Sequence, residues 1–187
     1  MPTEGSKFAS QWLRNGILGA ASALLALPGG AHAAAGLHDT AKASDRSGFT
    51  VIASAITDPD WLKKWNTTSP GVAFRGTDTL HAGDKATVAV FFSNALAVDG
   101  QAVLKCDVVV HNGADGSVQK SPPQVCFEGH VGPANMIMLT NMQINVGVDK
   151  GDPPGVAQFD IGVTDMNRHV RVPVEIAIKF DPAGKAN

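Results

Sequence analysis

Residues 156–180 read VAQFDIGVTDMNRHVRVPVEIAIKF, and this stretch decides the fold class. Ala157, Phe159, Ile161 and Val163 alternate with Gln158, Asp160, Gly162 and Thr164. After a polar break at Asp165-Met166-Asn167-Arg168, Val170, Val172, Val174, Ile176, Ile178 and Phe180 alternate with Arg171, Pro173, Glu175, Ala177 and Lys179. Successive residues of a strand point to opposite faces, so a period of two with one apolar side marks a half-buried pair of antiparallel strands. In a helix, at about 100° per residue, the same apolar residues would be spread around the whole surface. The polar break makes the pair a hairpin. Two strands do not hide such a face alone, so the rest of the chain must supply a second layer.

Upstream, short apolar runs recur with turn residues between them. Phe49–Ile56 reads as a first strand, Lys85–Asn94 as a central one, and Gln101–His111 as another. A strand around Val125–Glu128 and one within Met136–Val148 follow. Val98-Asp99-Gly100, Asn112-Gly113, Asp115-Gly116 and Asp149–Gly155 are turn or loop signals. Asp58-Pro59 starts a short helix that sets Trp61 and Trp65 four residues apart, on one face of a turn. About seven strands at this spacing predict an all-β chain. The expected fold is an antiparallel β-sandwich, immunoglobulin-like or fibronectin-III-like, over residues 49–182, with 183–187 as a tail. The run Gly151-Asp152-Pro153-Pro154-Gly155 resembles the corner before the penultimate strand of bacterial immunoglobulin-like domains, although the chain holds no tyrosine to make a tyrosine corner. Pro173 cannot donate to a sheet ladder, so the last strand should be an edge there or carry a bulge.

The first 33 residues have the composition of a cleavable signal peptide. Lys7 and Arg14 precede the apolar run Gly16–Leu27, Pro28-Gly29-Gly30 breaks it, and Ala31-His32-Ala33 fits a cleavage site. The run is too short to span a bilayer core of about 30 Å, and no later stretch is apolar enough, so no transmembrane segment is expected in the mature chain. Residues 34–48, small and polar, read as a flexible leader. The protein is therefore expected to be periplasmic or secreted. Without Lys7, Arg14 and Glu4 the chain carries 13 basic and 16 acidic residues, a net charge near −3, which argues against nucleic acid as a partner. Cys106 and Cys126, an even pair in an oxidising compartment, predict one disulfide.

Signals for chemistry are weaker. Cys126, His130 and Met136, with His81 upstream, resemble the ligand set of cupredoxins, but blue copper needs the thiolate that a disulfide would consume. A softer copper(I) site could draw on His130, Met136, Met138 and Met142, since thioethers select that ion; the same methionines could equally fill core gaps. Asp149, Asp152, Asp160 and Asp165 lie near turns without the spacing of an EF-hand, and could converge on calcium only if the fold gathers them. No nucleophile-and-base motif is present, so no enzymatic activity and no cofactor is expected. Trp61 and Trp65 either present an aromatic anchor to a partner or fold back on the sandwich. The reading that follows is a non-enzymatic binding or accessory module of the cell envelope. A copper-binding protein of the same fold is the alternative.

Overall fold

The computed structural model describes residues 40–67 and 74–184; residues 1–33, expected to be a signal peptide, the start of the expected leader and most of the expected tail lie outside the described residues. Nine strands and one helix are described: β1 (Thr40–Ser44), β2 (Thr50–Ile56), α1 (Trp61–Thr67), β3 (Thr79–His81), β4 (Lys85–Ser93), β5 (Gln101–Asn112), β6 (Val118–His130), β7 (Met138–Gly147), β8 (Gly155–Asp165) and β9 (Val170–Asp181). They form two sheets, ordered β1-β2-β4-β7 and β3-β9-β8-β5-β6, antiparallel except where β3 runs parallel to β9. This is the all-β, immunoglobulin-like sandwich that the hairpin at residues 156–180 implies. By position, β4, β5, β8 and β9 take the places of strands B, C, F and G.

The core is what the alternation predicts. Ala157, Phe159, Ile161 and Val163 of β8 and Val172, Val174, Ile176, Ile178 and Phe180 of β9 are buried in one cluster with Val51, Val88, Val90, Phe92 and Leu104 from the other strands. The outward residues of the five-stranded sheet pair in polar rows. His111 Nε2 donates to Asp160 Oδ2 at 3.0 Å, and Gln158 Nε2 to Asp160 Oδ1 at 2.7 Å. The Arg171 guanidinium lies over Gly162, where a side chain would collide with it, and reaches Asp107 with two donors at 2.7 and 3.2 Å.

A second, smaller apolar cluster covers the outer face of the four-stranded sheet. Trp61 from α1 is buried with Ile56, Ala89 and Phe91, while Trp65, Phe74, Ile52 and Leu139 flank it. Trp61 meets Phe74 and Phe91 edge-on, with ring centroids 5.9 and 6.4 Å away. The helix thus forms a third layer on this sheet instead of capping an end.

Several boundaries differ from expectation. Thr40–Ser44 falls in the stretch read as a flexible leader, yet it pairs with β2 from Thr40↔Ser54 to Ser44↔Thr50. Its small side chains hid a strand held mainly by backbone bonds. Thr79–His81, which overlaps the residues Leu80–Asp84 whose sequence reads as a turn entering β4, is the short parallel strand. β6 extends from Val118 through Pro122 and Pro123, which lie together opposite Asp107 at a break in register on a sheet edge, where strands tolerate proline. Cys126 occupies a bulge between the pairs Leu104↔Phe127 and Lys105↔Val125, which turns it under the sheet toward Cys106. The two cysteines are bonded, with Cα atoms 5.6 Å apart. The bond joins neighbouring strands of one sheet, whereas antibody domains tie their two sheets together.

Pro173 sits opposite Gly162 in unbroken register with β8. β3 reaches only Lys179 to Asp181. Lys179 N donates to Asp78 O, away from β8, so by alternation the Pro173 nitrogen also faces the open edge.

Candidate functional site at the loop end of the sandwich

Four connections meet at one end: the β1–β2 turn (45–49), the β4–β5 loop (94–100), the β6–β7 loop (131–137) and the β8–β9 turn (166–169). Because β4 neighbours β7 and β5 neighbours β6, the second and third of these cross between the sheets side by side. The equivalent end of antibody variable domains carries the recognition loops.

One carboxylate organises the end. Asp165, at the last position of β8, is fully enclosed (0% exposed). Its Oδ2 accepts from Leu96 N at 2.8 Å, and its Oδ1 from Asn167 N and Arg168 N at 3.1 Å each. The Arg168 guanidinium, 3.6 Å from Oδ2, balances its charge. A buried carboxylate is tolerable only when paired and bonded in this way. The period-two reading put Asp165 in the polar break; the structure shows it as the inward residue that ends the strand.

The neighbouring side chains extend this bracing. Asn167 Nδ2 donates to Leu96 O and to Gln101 O, both at 2.9 Å. Arg168 donates to Ser47 O and to the Ser47 hydroxyl, and Asn94 Nδ2 also donates to Ser47 O. Asp45 accepts from the Ser47 hydroxyl and from Ser47 N and Phe49 N, and these bonds, the hydroxyl foremost, hold its carboxyl below the usual pKa. Three connections are thereby locked together. Strained backbone gathers here too: Asn94, Asp99 and His169 have φ of 57°, 52° and 57°. Asp99 and Gly100, both at positive φ, form the tight turn between Val98 and Gln101.

The consequence is an inverted arrangement at Leu96. Its N–H and its carbonyl are both clamped by buried or bracing side chains, yet its own side chain is 38% exposed. Val98, Met136 and Ile137 in the same two loops are about half exposed, at 53, 50 and 48%. Residues 94–100 (NALAVDG) and 131–137 (VGPANMI) contain one charged side chain, Asp99, between them. An apolar, nearly uncharged set of loop residues on a braced frame is suited to contact, and it offers no acid–base or nucleophilic pair.

The residues singled out from the sequence distribute as follows. His130, at the end of β6, is at this end and exposed; its Nδ1 donates to Gly100 O at 3.0 Å, leaving Nε2 to accept from Gln101 Nε2 at 2.9 Å. Met136 folds over Gly132 in the adjacent loop. Met138 packs partly against the main core opposite Phe92, and Met142 is buried in that core. Among the described residues no three His, Cys, Asp or Glu side chains converge as metal ligands. The four aspartates do not gather: Asp149 and Asp152 lie in the β7–β8 loop at the opposite end, Asp160 is on the outer face of β8, and Asp165 is enclosed at this end. Trp61 is buried and Trp65 half-buried on the outer face of the four-stranded sheet, packed on Phe91 and not in the loops themselves. Sequence reasoning missed Leu96, Val98 and Ile137. Their signal was faint: large aliphatics inside segments whose glycine and asparagine mark them as loops.

No protein-family model matches the chain, and no curated protein does. Among solved structures, the chain is similar to that of a family 123 glycoside hydrolase from Clostridium perfringens, with a TM-score of 0.39 and 11% identity. That likeness covers 71% of this chain and 27% of that one, so the chain spans about a quarter of the hydrolase's length.

Proposed function

We propose that this chain is a non-enzymatic binding or accessory module of the cell envelope, periplasmic or secreted, and that it takes an apolar segment of a partner protein on its β4–β5 and β6–β7 loops. The observation that carries the reading is Leu96. A buried carboxylate and an asparagine fix its backbone on both sides, and the product of that bracing is an apolar side chain held in water. Leaving a leucine exposed on a mobile loop has no structural use, whereas ordering the loop in advance lowers the entropy cost of binding. Met136 in the neighbouring loop adds an adaptable side chain. The disulfide suits an oxidising compartment, and no helix among the described residues is long and apolar enough to cross a membrane.

The test is site-specific photocrosslinking in cells, with the probe at Leu96, Val98 or Ile137 and, as control, at Val118, which is equally exposed at the other end. One discrete adduct from the loop positions, absent from Val118 and lost when Leu96→Asp accompanies the Val98 probe, is the expected result. Adducts of equal yield from all four sites would overturn it.

Copper binding is the second reading, favoured by His130 alone. Its Nδ1–H is bonded to a backbone carbonyl, the arrangement that orients a metal-bound imidazole, and Met136 lies in the adjacent loop. One copper per chain in protein purified from the periplasm, lost in both His130→Ala and Met136→Ala, would replace the first reading with this one.

A further inference from the structure

The open strand edges of this sandwich are not treated alike. β1 is five residues long with Lys42 at its centre. β6 has Pro122, Pro123, Lys120, Glu128 and two register breaks. The uncovered part of β9 has Arg171 and Pro173. Prolines, charges, bulges and shortness are the devices by which proteins prevent edge pairing. Among the described residues β7 (Met138–Gly147) is the last strand of its sheet, and it contains no proline and no charged residue. A bulge interrupts it opposite Val90, but Gln143–Gly147 pairs regularly with Lys85–Ala89.

Which backbone groups of β7 face outward follows from its end. Val148 N donates to Asp84 O and Val148 O accepts from Gly83 N, so residue 148 turns both groups toward β4. Alternation then turns those of Val146 and Ile144 the same way, and those of Gln143, Asn145 and Gly147 away from the sheet. The close side-chain contact between Thr87 and Asn145, at 3.0 Å, agrees, since residues of a non-hydrogen-bonded pair approach most closely.

We propose that two copies of this chain associate by antiparallel pairing of β7 with β7 about a two-fold axis through Ile144. In that register Gln143 faces Asn145 of the second copy, and each exchanges both backbone bonds with the other. Ile144 meets Ile144 as a non-hydrogen-bonded pair, and Met142 meets Val146. Gln143 and Asn145 pair amide with amide, Asn141 faces Gly147, and every inward pair is apolar with apolar, so the edge complements itself. Ile144 is left half-buried where Met142 and Val146 are buried, and the second Ile144 would cover it. A foreign strand would be recognised through side-chain pockets, and the outward residues Asn141, Gln143 and Asn145 line none, so the self-pairing is favoured. The bulge at Thr140–Met142 centres the regular pairing on residues 143–145.

Sedimentation velocity over a concentration series measures the association, with circular dichroism to confirm that each variant folds; both substituted positions are exposed. Q143K/N145K places lysine opposite lysine twice and should raise the dimer dissociation constant about tenfold or more. Q143K/N145E places lysine opposite glutamate and should restore it. Ile144→Cys should form a disulfide-linked dimer, because paired Cα atoms at about 4.5 Å lie within disulfide reach. Lys42→Cys on β1 should not. A chain that stays monomeric at all concentrations, or a dimer indifferent to both double variants, would overturn the proposal.

Discussion

Asp165→Ala tests the architecture of the loop end most directly. The substitution removes the acceptor of three backbone N–H groups and the partner of Arg168. Breaking a buried ion pair from one side costs about 3–5 kcal/mol, because the remaining charge is stranded. Arg168 keeps 17% of its side chain in water and still bonds Ser47, so it rehydrates in part. That places the expected loss near the lower bound, about 3 kcal/mol. For a domain of this size each kcal/mol moves the melting temperature by about 2–4 °C, so a drop of roughly 6–12 °C is expected. Asp165→Asn keeps the shape and one acceptor but turns an NH2 toward Leu96 N–H, and should lose about 2 kcal/mol. Urea unfolding gives the free energy, and hydrogen exchange at the Leu96 amide reads the loop itself. That amide should lose protection in both variants. A loss below about 1 kcal/mol for Asp165→Ala, or an unchanged Leu96 exchange rate, would refute the claim that Asp165 braces the loop.

Reduction of the Cys106–Cys126 bond should cost about 3 kcal/mol by the chain-entropy estimate for its separation of 20 residues, and thiol titration of denatured, unreduced protein should find no free thiol. Trp61→Ala should destabilise by about 3–5 kcal/mol, and Trp65→Ala by clearly less because its ring is only half-buried; denaturant melts compare the two. Asp45, Asp58 and Asp115 have lowered pKa values, chiefly through the Ser47 hydroxyl, Lys64 and Ser117 respectively, the last with its backbone N–H donating to Asp115 at 2.9 Å. A folded pKa below the unfolded value of about 3.9 stabilises fully above that pH and is lost as pH falls through the folded value, so the triple Asn variant should flatten only the part of the Tm–pH curve below about pH 4.

The fold was legible because its central strands obey one rule throughout. From Val170 to Phe180 every second residue is apolar and faces the core, Ala177 being the one apolar residue on the other face, and Pro173 even announces the open edge on which its nitrogen lies. Legibility failed where the backbone, not the side chains, holds an element. β1 is a string of small and polar residues paired by main-chain bonds, and β3 is too short to show a period. The disulfide was legible from composition and compartment, but the bulge that brings Cys126 under Cys106 was not, since nothing in the local sequence marks an extra residue. The loop-end site was the least legible part. Asp165 reads as one more polar turn residue until β8, β5 and the β4–β5 loop are assembled around it, and only then does its enclosure single it out.

The distribution of polar bonds over the surface also favours the loop end over the sheet faces as the place of contact. On the outer face of the five-stranded sheet, charged side chains satisfy one another: Arg171 with Asp107 and His111 with Asp160. A partner docking there would have to break or desolvate those pairs, at a cost that exposed ion pairs repay poorly. The outer face of the four-stranded sheet is already covered by α1 and its two tryptophans. At the loop end the relation is reversed. Asp165, Arg168 and Asn167 are spent on bracing, and the large side chains left outward in the β4–β5 and β6–β7 loops are Leu96, Val98, Met136 and Ile137, with Asp99 the one charge among them. Binding at that surface removes apolar area from water, worth about 25 cal/mol per Å2, without breaking a polar bond. Of the surfaces described, it is the one where association gains most and undoes least.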